Sequence, residues 1–280
     1  MFIIEIIKAV ILGIIEGITE WLPISSTGHM ILIDEFLHLD VSPEFLEMFF
    51  VVIQLGAICA VPLLFWDRLY PLSRKKTKEE NKAIWNIWGK VIVGAVPAAV
   101  LGLLLDDLLD TYLYNYIVVA IALVIYGVAF IFVEKFKAEN KYRIENVEDI
   151  GYIDALKIGA FQVLSLIPGT SRSGSTILGG MVSGVSRKAS AEFSFFMAIP
   201  IMLGASGLKV LKFLLEGFSA SGKEIALLIV GIVVSFLVSF FVIKFLMDFV
   251  KRHDFKVFGY YRITLGALVL IYFAVKSLIS

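Results

Sequence analysis

Six blocks of this 280-residue chain are apolar for long enough to cross a lipid bilayer, which removes most folds from consideration. They run at about 44–66, 85–105, 113–133, 190–214, 224–248 and 259–278. About 20 helical residues span the ~30 Å of hydrocarbon, where only helices and closed barrels satisfy their own backbone. Charged residues make up 18% of the chain, against ~25% in a soluble protein. The expected fold is therefore all-α: a polytopic membrane protein with one transmembrane domain over 1–280. Formal net charge is zero, so nothing argues for a nucleic-acid partner. The single Cys59 excludes an internal disulfide. No basic n-region or small-residue cleavage site opens the chain, so no removable signal peptide is expected.

Two further apolar regions, about 2–38 and 153–185, are broken in the middle by Pro and Gly. Each reads as short helix, polar turn, short helix, and neither half is comfortably long enough to cross alone. A re-entrant hairpin fits, because broken backbone at membrane depth is tolerated only inside protein or along a water-filled cavity. The alternative is an ordinary span at 2–22 that carries glutamates. Gly13 and Gly17 form a GxxxG, which points to close helix packing.

Basic loops alternate with basic-poor ones. Arg68, Arg74, Lys75, Lys76, Lys78 and Lys82 follow the first span, and Lys135, Lys137, Lys141 and Arg143 follow the third. Lys251, Arg252 and Lys256 precede the last, whereas Asp106, Asp107 and Asp110 stand in a loop with no basic residue. The basic loops mark the cytoplasmic side. The 134–150 stretch, which also holds Glu134, Glu139, Glu145, Glu148 and Asp149, is a polar linker between halves of about 1–134 and 150–280. A shift of 146 residues superposes Gly13 on Gly159, Glu16 on Gln162, Gly28 on Gly174, and Phe49–Phe50 on Phe195–Phe196. One broken hairpin plus three spans per half makes an inverted repeat, a transporter-like architecture that does not by itself establish transport.

The two broken segments hold the chemistry. Ionisable groups at membrane depth are expensive and are functional candidates by default. Glu16 and Glu20 are four residues apart, so they share one helix face. Such a pair needs a proton or a cation, and it suits Mg²⁺ or Ca²⁺; the alternative is two glutamates satisfied by protein donors. Ser25, Ser26, Thr27, Gly28 and His29 suit a turn and a helix N-cap. Ser26 is a candidate nucleophile and His29 a candidate base for it. His38 and His253 lie near interfaces and are read as inert.

The second segment has the reciprocal character. Gly169 and Gly174 permit a backbone nest for an anion, Ser171, Ser173 and Thr176 add hydroxyls, and a helix starting near Ser175 would aim its positive end at the same point. Arg172 supplies a fork of donors matched to phosphate oxygens; alternatively it neutralises Glu16 or Glu20, and the two motifs still meet. Gln54 and Glu192, polar residues in apolar spans, are candidate cavity-lining groups, although Glu192 suits helix capping equally well.

The runs Glu16 to His29 and Pro168 to Thr176, with Gln54–Leu55–Gly56 and Glu192–Phe193–Ser194–Phe195, resemble the bacterial undecaprenyl-diphosphatase family, also called bacitracin-resistance proteins. The similarity covers essentially the whole chain. It implies hydrolysis of undecaprenyl diphosphate to undecaprenyl phosphate and inorganic phosphate, which recycles the lipid carrier for peptidoglycan synthesis and confers bacitracin resistance. It also implies dependence on a divalent metal, a site opening to the extracytoplasmic face of the bacterial cell membrane, and the re-entrant inverted repeat. It carries over Glu16, Glu20, Ser26, His29, Arg172, Ser173 and Thr176 as the active-site group. Ser26 attacking with His29 as base is the favoured route, with metal-bound water as the alternative nucleophile. The rival class is a transporter or flippase for a polyprenyl phosphate. A homodimer is compatible with such a chain.

Overall fold

The computed structural model describes residues 2–34, 36–113, 115–138 and 142–279. Glu139 and Lys141 of the linker, and the side chains of Asp106, Asp107 and Asp110, lie outside the described residues. The chain is helical, with no β-sheet among the described residues. The helices are α1 (Phe2–Thr19), α2 (Ser26–Asp34), α3 (Pro43–Leu64), α4 (Trp66–Leu69), α5 (Lys78–Leu113), α6 (Tyr116–Ala138), α7 (Tyr152–Val163), α8 (Arg172–Val182), α9 (Arg187–Leu215), α10 (Gly222–Phe249) and α11 (Lys256–Ile279). Short 3₁₀ turns occupy Val147–Asp149 and Leu164–Leu166.

Six described helices are long and apolar enough to cross a membrane: α3, α5, α6, α9, α10 and α11. They coincide with the six expected blocks. The acidic stretch expected as a loop instead continues α5 to Leu113. No Gly or Pro breaks the helix there, and the stop comes where the Asn115 side chain accepts from Val118 N at 3.0 Å and starts α6. Serines set the starts of α3, α9 and α10. Ser42, Ser186 and Ser221 each accept a hydrogen bond from the backbone N–H three residues on, which satisfies a donor that the first helical turn leaves unpaired.

Both broken regions form helix pairs, α1–α2 and α7–α8. Each pair begins and ends at the same end of the bundle. Glu5 on α1 accepts from Asp40 N, just before α3, at 2.9 Å. Arg143 N, before α7, donates to Gly184 O, just after α8, at 2.8 Å. The first pair opens beside the starts of α3 and α10, where Glu224 accepts from Ser42 N at 3.2 Å. The second opens beside the basic loops, where Arg187 holds Glu134 in two 2.8 and 3.0 Å contacts from its Nε.

The packing partners exchange between halves. α1 lies on α10 while α7 lies on α5; α3 lies on α10 while α9 lies on α5; α3 meets α9 and α6 meets α11 across the middle. Gly13 and Gly17 take α1 onto α10, against Gly231 O and Ser235 O. α6 and α11 approach equally closely: a Cβ at Gly127 would lie 2.7 Å from Gly259 O, and one at Gly259 would lie 2.7 Å from Gly127 O. Only residues without a side chain allow two helices this near.

Candidate active site

The breaks between α1 and α2 and between α7 and α8 meet in the middle of the bundle. Residues Glu20 to Ser25 form the first break and Leu164 to Ser171 the second. Ser173 Oγ donates to Glu20 O at 2.9 Å, which fastens the second segment to the first. Arg262 on α11 joins both. Its Nη1 donates to Pro23 O at 3.1 Å and its Nη2 to Gly169 O and Thr170 O at 2.8 and 2.9 Å. Arg262 is fully buried and lies over the Tyr126 ring. Carbonyls freed by a helix break must find donors where water is absent, and this guanidinium supplies them.

The two breaks end alike. Ser25 and Ser171, 146 residues apart, are the non-glycine residues with positive φ among those described, at 75° and 74°. Each side chain caps the helix that follows: Ser25 Oγ accepts from Gly28 N at 3.2 Å, and Ser171 Oγ from Gly174 N at 3.1 Å. A left-handed serine costs of order 1 kcal/mol or more, tolerated only where its surroundings impose it. α8 therefore starts at Arg172, three residues before the expected Ser175, and Gly174 sits in its first turn. Gly169, with φ 89°, supplies the tight backbone.

The next residue in each half turns to the same carboxylate. Ser26 Oγ donates to Glu20 Oε2 at 3.1 Å, and Arg172 Nη2 donates to Glu20 Oε1 at 2.8 Å. Arg172 Nη1 donates to Ser194 O at 2.8 Å, and its guanidinium lies over Trp21, itself edge-on to Phe195. Glu20, Ser26, Thr27, Gln54, Ser171 and Arg172 line a polar pocket of about 190 Å³. Ser26, Thr27 and Gln54 also line a larger, mostly apolar cavity of about 1210 Å³ that reaches Glu16 and Gln162.

The structure thus brings together Glu20, Ser26, Thr27, Ser171, Arg172 and Gln54, with Glu16 beside them. Ser25, Ser173, Gly174 and Thr176 are buried behind the pocket and hold its backbone. Thr176 Oγ1, for instance, donates to Arg172 O at 2.9 Å. The Ser173 and Thr176 hydroxyls, expected to add to the anion nest, are spent on Glu20 O and Arg172 O, and His29 and Glu192 also stand away from the pocket. His29 lies off both cavities and does not reach the Ser26 hydroxyl. Its Nδ1–H donates to Ser25 O at 2.7 Å, so its Nε2 accepts from the Tyr261 hydroxyl, also at 2.7 Å. Residues three apart on a helix project together only if neither is drawn elsewhere, and Tyr261 stacks on the His29 ring. Glu192 lines neither cavity; it pairs with Arg68 Nη1 at 2.7 Å near the basic loops. Sequence reasoning missed Arg262, Tyr261 and Ser194. A lone arginine inside the apolar block 259–278 was the available signal for the first.

A hard cation was expected at Glu16 and Glu20. Glu16 is 1% exposed, its Oε1 has no partner, and both side-chain polar atoms of Gln162 are likewise unpaired. Buried polar atoms left in this way call for water or an ion. The atoms among these able to ligate, Glu16 Oε1 and Gln162 Oε1, are oxygens, which suits Mg²⁺ or Ca²⁺. Both oxygens of Glu20 accept a hydrogen bond, whereas Glu16 Oε1 has none. No group of three or more His, Cys, Asp and Glu side chains gathers among the described residues, so waters or phosphate oxygens would complete the shell.

The family described as bacitracin resistance protein BacA matches residues 9–268. The chain belongs to this family. It is 55% identical over 265 residues to an undecaprenyl-diphosphatase of Enterococcus faecalis, covering 95% of this chain and 96% of the relative. It is 52% identical over 281 residues to one of Desulfitobacterium hafniense and 54% identical over 281 residues to one of Streptococcus gordonii, each covering 100% of both chains.

Proposed function

We propose that the chain hydrolyses undecaprenyl diphosphate to undecaprenyl phosphate and inorganic phosphate, recycling the carrier for cell-wall synthesis. The observation that carries this reading is the position of Glu20, hydrogen-bonded at once to a hydroxyl nucleophile and to a guanidinium in one polar pocket. Arg172 and the N-terminal turns of α2 and α8 hold the diphosphate oxygens. Ser26 Oγ attacks the terminal phosphorus, and its proton passes to Glu20. The bond to the bridging oxygen breaks, and undecaprenyl phosphate leaves. Water then attacks the phosphoserine, releasing inorganic phosphate and restoring Ser26. Phosphoryl transfer needs positioning and charge neutralisation above all. His29 holds the left-handed turn at Ser25 rather than taking the proton. Water attacking directly is the alternative nucleophile, tested by Ser26→Ala.

A divalent cation at Glu16, with Gln162 nearby, would neutralise phosphate charge when bound. Phosphate release from a polyprenyl diphosphate by purified protein in detergent, with and without chelator, tests the whole reading. Absence of release in both conditions would overturn it.

The same-end return of each helix pair supports two re-entrant hairpins. One enters from the basic-loop side and one from the other, as an inverted repeat requires. With the basic loops in the cytoplasm, the larger cavity, which runs toward the α3 start, opens to the extracytoplasmic face. The exchange of packing partners is also what a transporter of polyprenyl phosphate would have. Movement of that lipid between vesicle leaflets by a Ser26→Ala protein would favour that reading.

A further inference from the structure

The larger cavity has a second polar end. From Ser26 and Glu16 it runs between α3, α5 and α9 to Glu47 on α3 and to Lys209 and Lys212 on α9. Its middle is walled by apolar groups such as Phe50 and Ala205. Arg172 touches Met202 Sδ on α9 at 3.8 Å. Lys209 is seven residues on, two turns along the same face and so roughly 10 Å from Met202. A lysine near a helix end ordinarily extends its ammonium out to the interface. Lys209 does so toward Glu47, whose Oε1 it meets at 2.9 Å; its side chain is 24% exposed and that of Glu47 65%. Lys212 stands three residues on and is exposed, so the pair places two ammonium groups where this largely apolar cavity meets the surface.

We propose that Lys209 and Lys212 form a phosphate-receiving site at the mouth of the cavity, about two helical turns outside Arg172, where an arriving phosphoryl group displaces Glu47 from Lys209. The ligand is a phosphate group carrying two or more negative charges. It is either the diphosphate headgroup on its way in or inorganic phosphate on its way out. The site deepens the phosphatase reading and rests on it. A multiply charged anion crossing an apolar cavity needs a counter-charge at both ends, and Arg172 supplies only the inner one. Charges placed along a cleft raise the local concentration of an oppositely charged ligand.

Steady-state hydrolysis of farnesyl diphosphate by the full-length protein in detergent, from low to high salt, provides the test. Lys209→Gln/Lys212→Gln is expected to raise KM about tenfold, change kcat by less than about twofold, and flatten the salt dependence. Inhibition by inorganic phosphate is measured alongside. A rise in KM alone assigns the site to the headgroup, a rise in the inhibition constant alone assigns it to released phosphate, and a rise in both assigns it to both. Glu47→Gln frees Lys209 and is expected to lower the affected constant. Lys223→Gln is the control, because Lys223 pairs with the exposed Asp40 at the same end of the bundle and does not line the cavity. Wild-type constants and salt slope in the double variant, or equal changes in Lys223→Gln, would overturn the site. If the double variant does not fold, unchanged constants in Glu47→Gln overturn it. Failure of the wild type to release phosphate would instead sink the phosphatase reading.

Discussion

Glu20 and Arg172 stand 152 residues apart in the chain and 2.8 Å apart in space. One comes from the break after α1 and the other from the first turn of α8. Their contact makes a single site out of two separate motifs. The Ser26 hydroxyl, on the other oxygen of Glu20, completes it.

Glu20→Gln and Ser26→Ala are expected to lose turnover by a factor of about 10²–10⁴, the usual scale for a lost general base or its partner. His29→Ala should lose about tenfold or less, the scale of one hydrogen bond. Single-turnover phosphate release by the three variants ranks them. If His29→Ala falls as far as Glu20→Gln, His29 takes the proton after all.

Arg172→Lys should behave as a severe variant. Lysine keeps the charge but cannot reach Ser194 O and Glu20 at once or lie flat over Trp21. A loss of at least about tenfold in kcat/KM is expected, since each hydrogen bond to a charged group is worth ~1.5–3 kcal/mol. Wild-type kinetics would reduce Arg172 to a general electrostatic role.

Arg262→Met should destabilise the fold rather than only slow it. The change leaves carbonyls of Pro23, Gly169 and Thr170 without their donor, at ~1–3 kcal/mol for each one left unsatisfied. The midpoint of thermal unfolding in detergent is expected to fall sharply. An unchanged midpoint would mean that water replaces the guanidinium.

Gly127→Ala and Gly259→Ala should each push α6 from α11 and cost about 1–3 kcal/mol, the usual range for overpacking. Gly207→Ala, where an added Cβ meets nothing within 4 Å, should be neutral or stabilising by a few tenths, because alanine is the better helix former. Equal midpoints for all three variants would refute the close-approach account.

Outside the membrane, burial would raise the carboxyl of Glu148, but hydrogen bonds from Arg68 hold it below the ordinary 4.5. A depressed carboxyl stabilises the fold above its unfolded value, and that contribution is lost as pH falls through the lower folded value. The loss should therefore lie below about pH 4.5. Glu148 is nearly half exposed, so the contribution stays under about 1 kcal/mol. Unfolding midpoints of the wild type and Arg68→Gln should converge in acid; a constant gap across pH would exclude this pair as the cause.

The expected chemistry of the two broken segments was legible because membrane depth makes every polar residue conspicuous. Glu16, Glu20, Ser26 and Arg172 stood out against apolar neighbours without any knowledge of the fold. The 146-residue shift was legible as a few weak coincidences, and it reappears as two left-handed serines with the same backbone angle. His29 was misplaced because spacing along one helix gives a face but not what occupies it. Tyr261, 232 residues away, holds the ring.

The amino-acid sequence by itself determined the class of fold, the six spans, the two breaks and the residues able to carry charge at depth. These follow from hydropathy and local backbone preference, which act over a few turns of chain. The tertiary structure alone decided which oxygen of Glu20 meets Arg172 and which meets Ser26. It alone decided that Glu192 serves the loop end and that the buried Arg262 staples both breaks. Such pairings join residues separated by most of the chain. They depend on how close glycine-lined helices approach and on which buried donor is nearest to a freed carbonyl, and neither distance is written in the local order of residues.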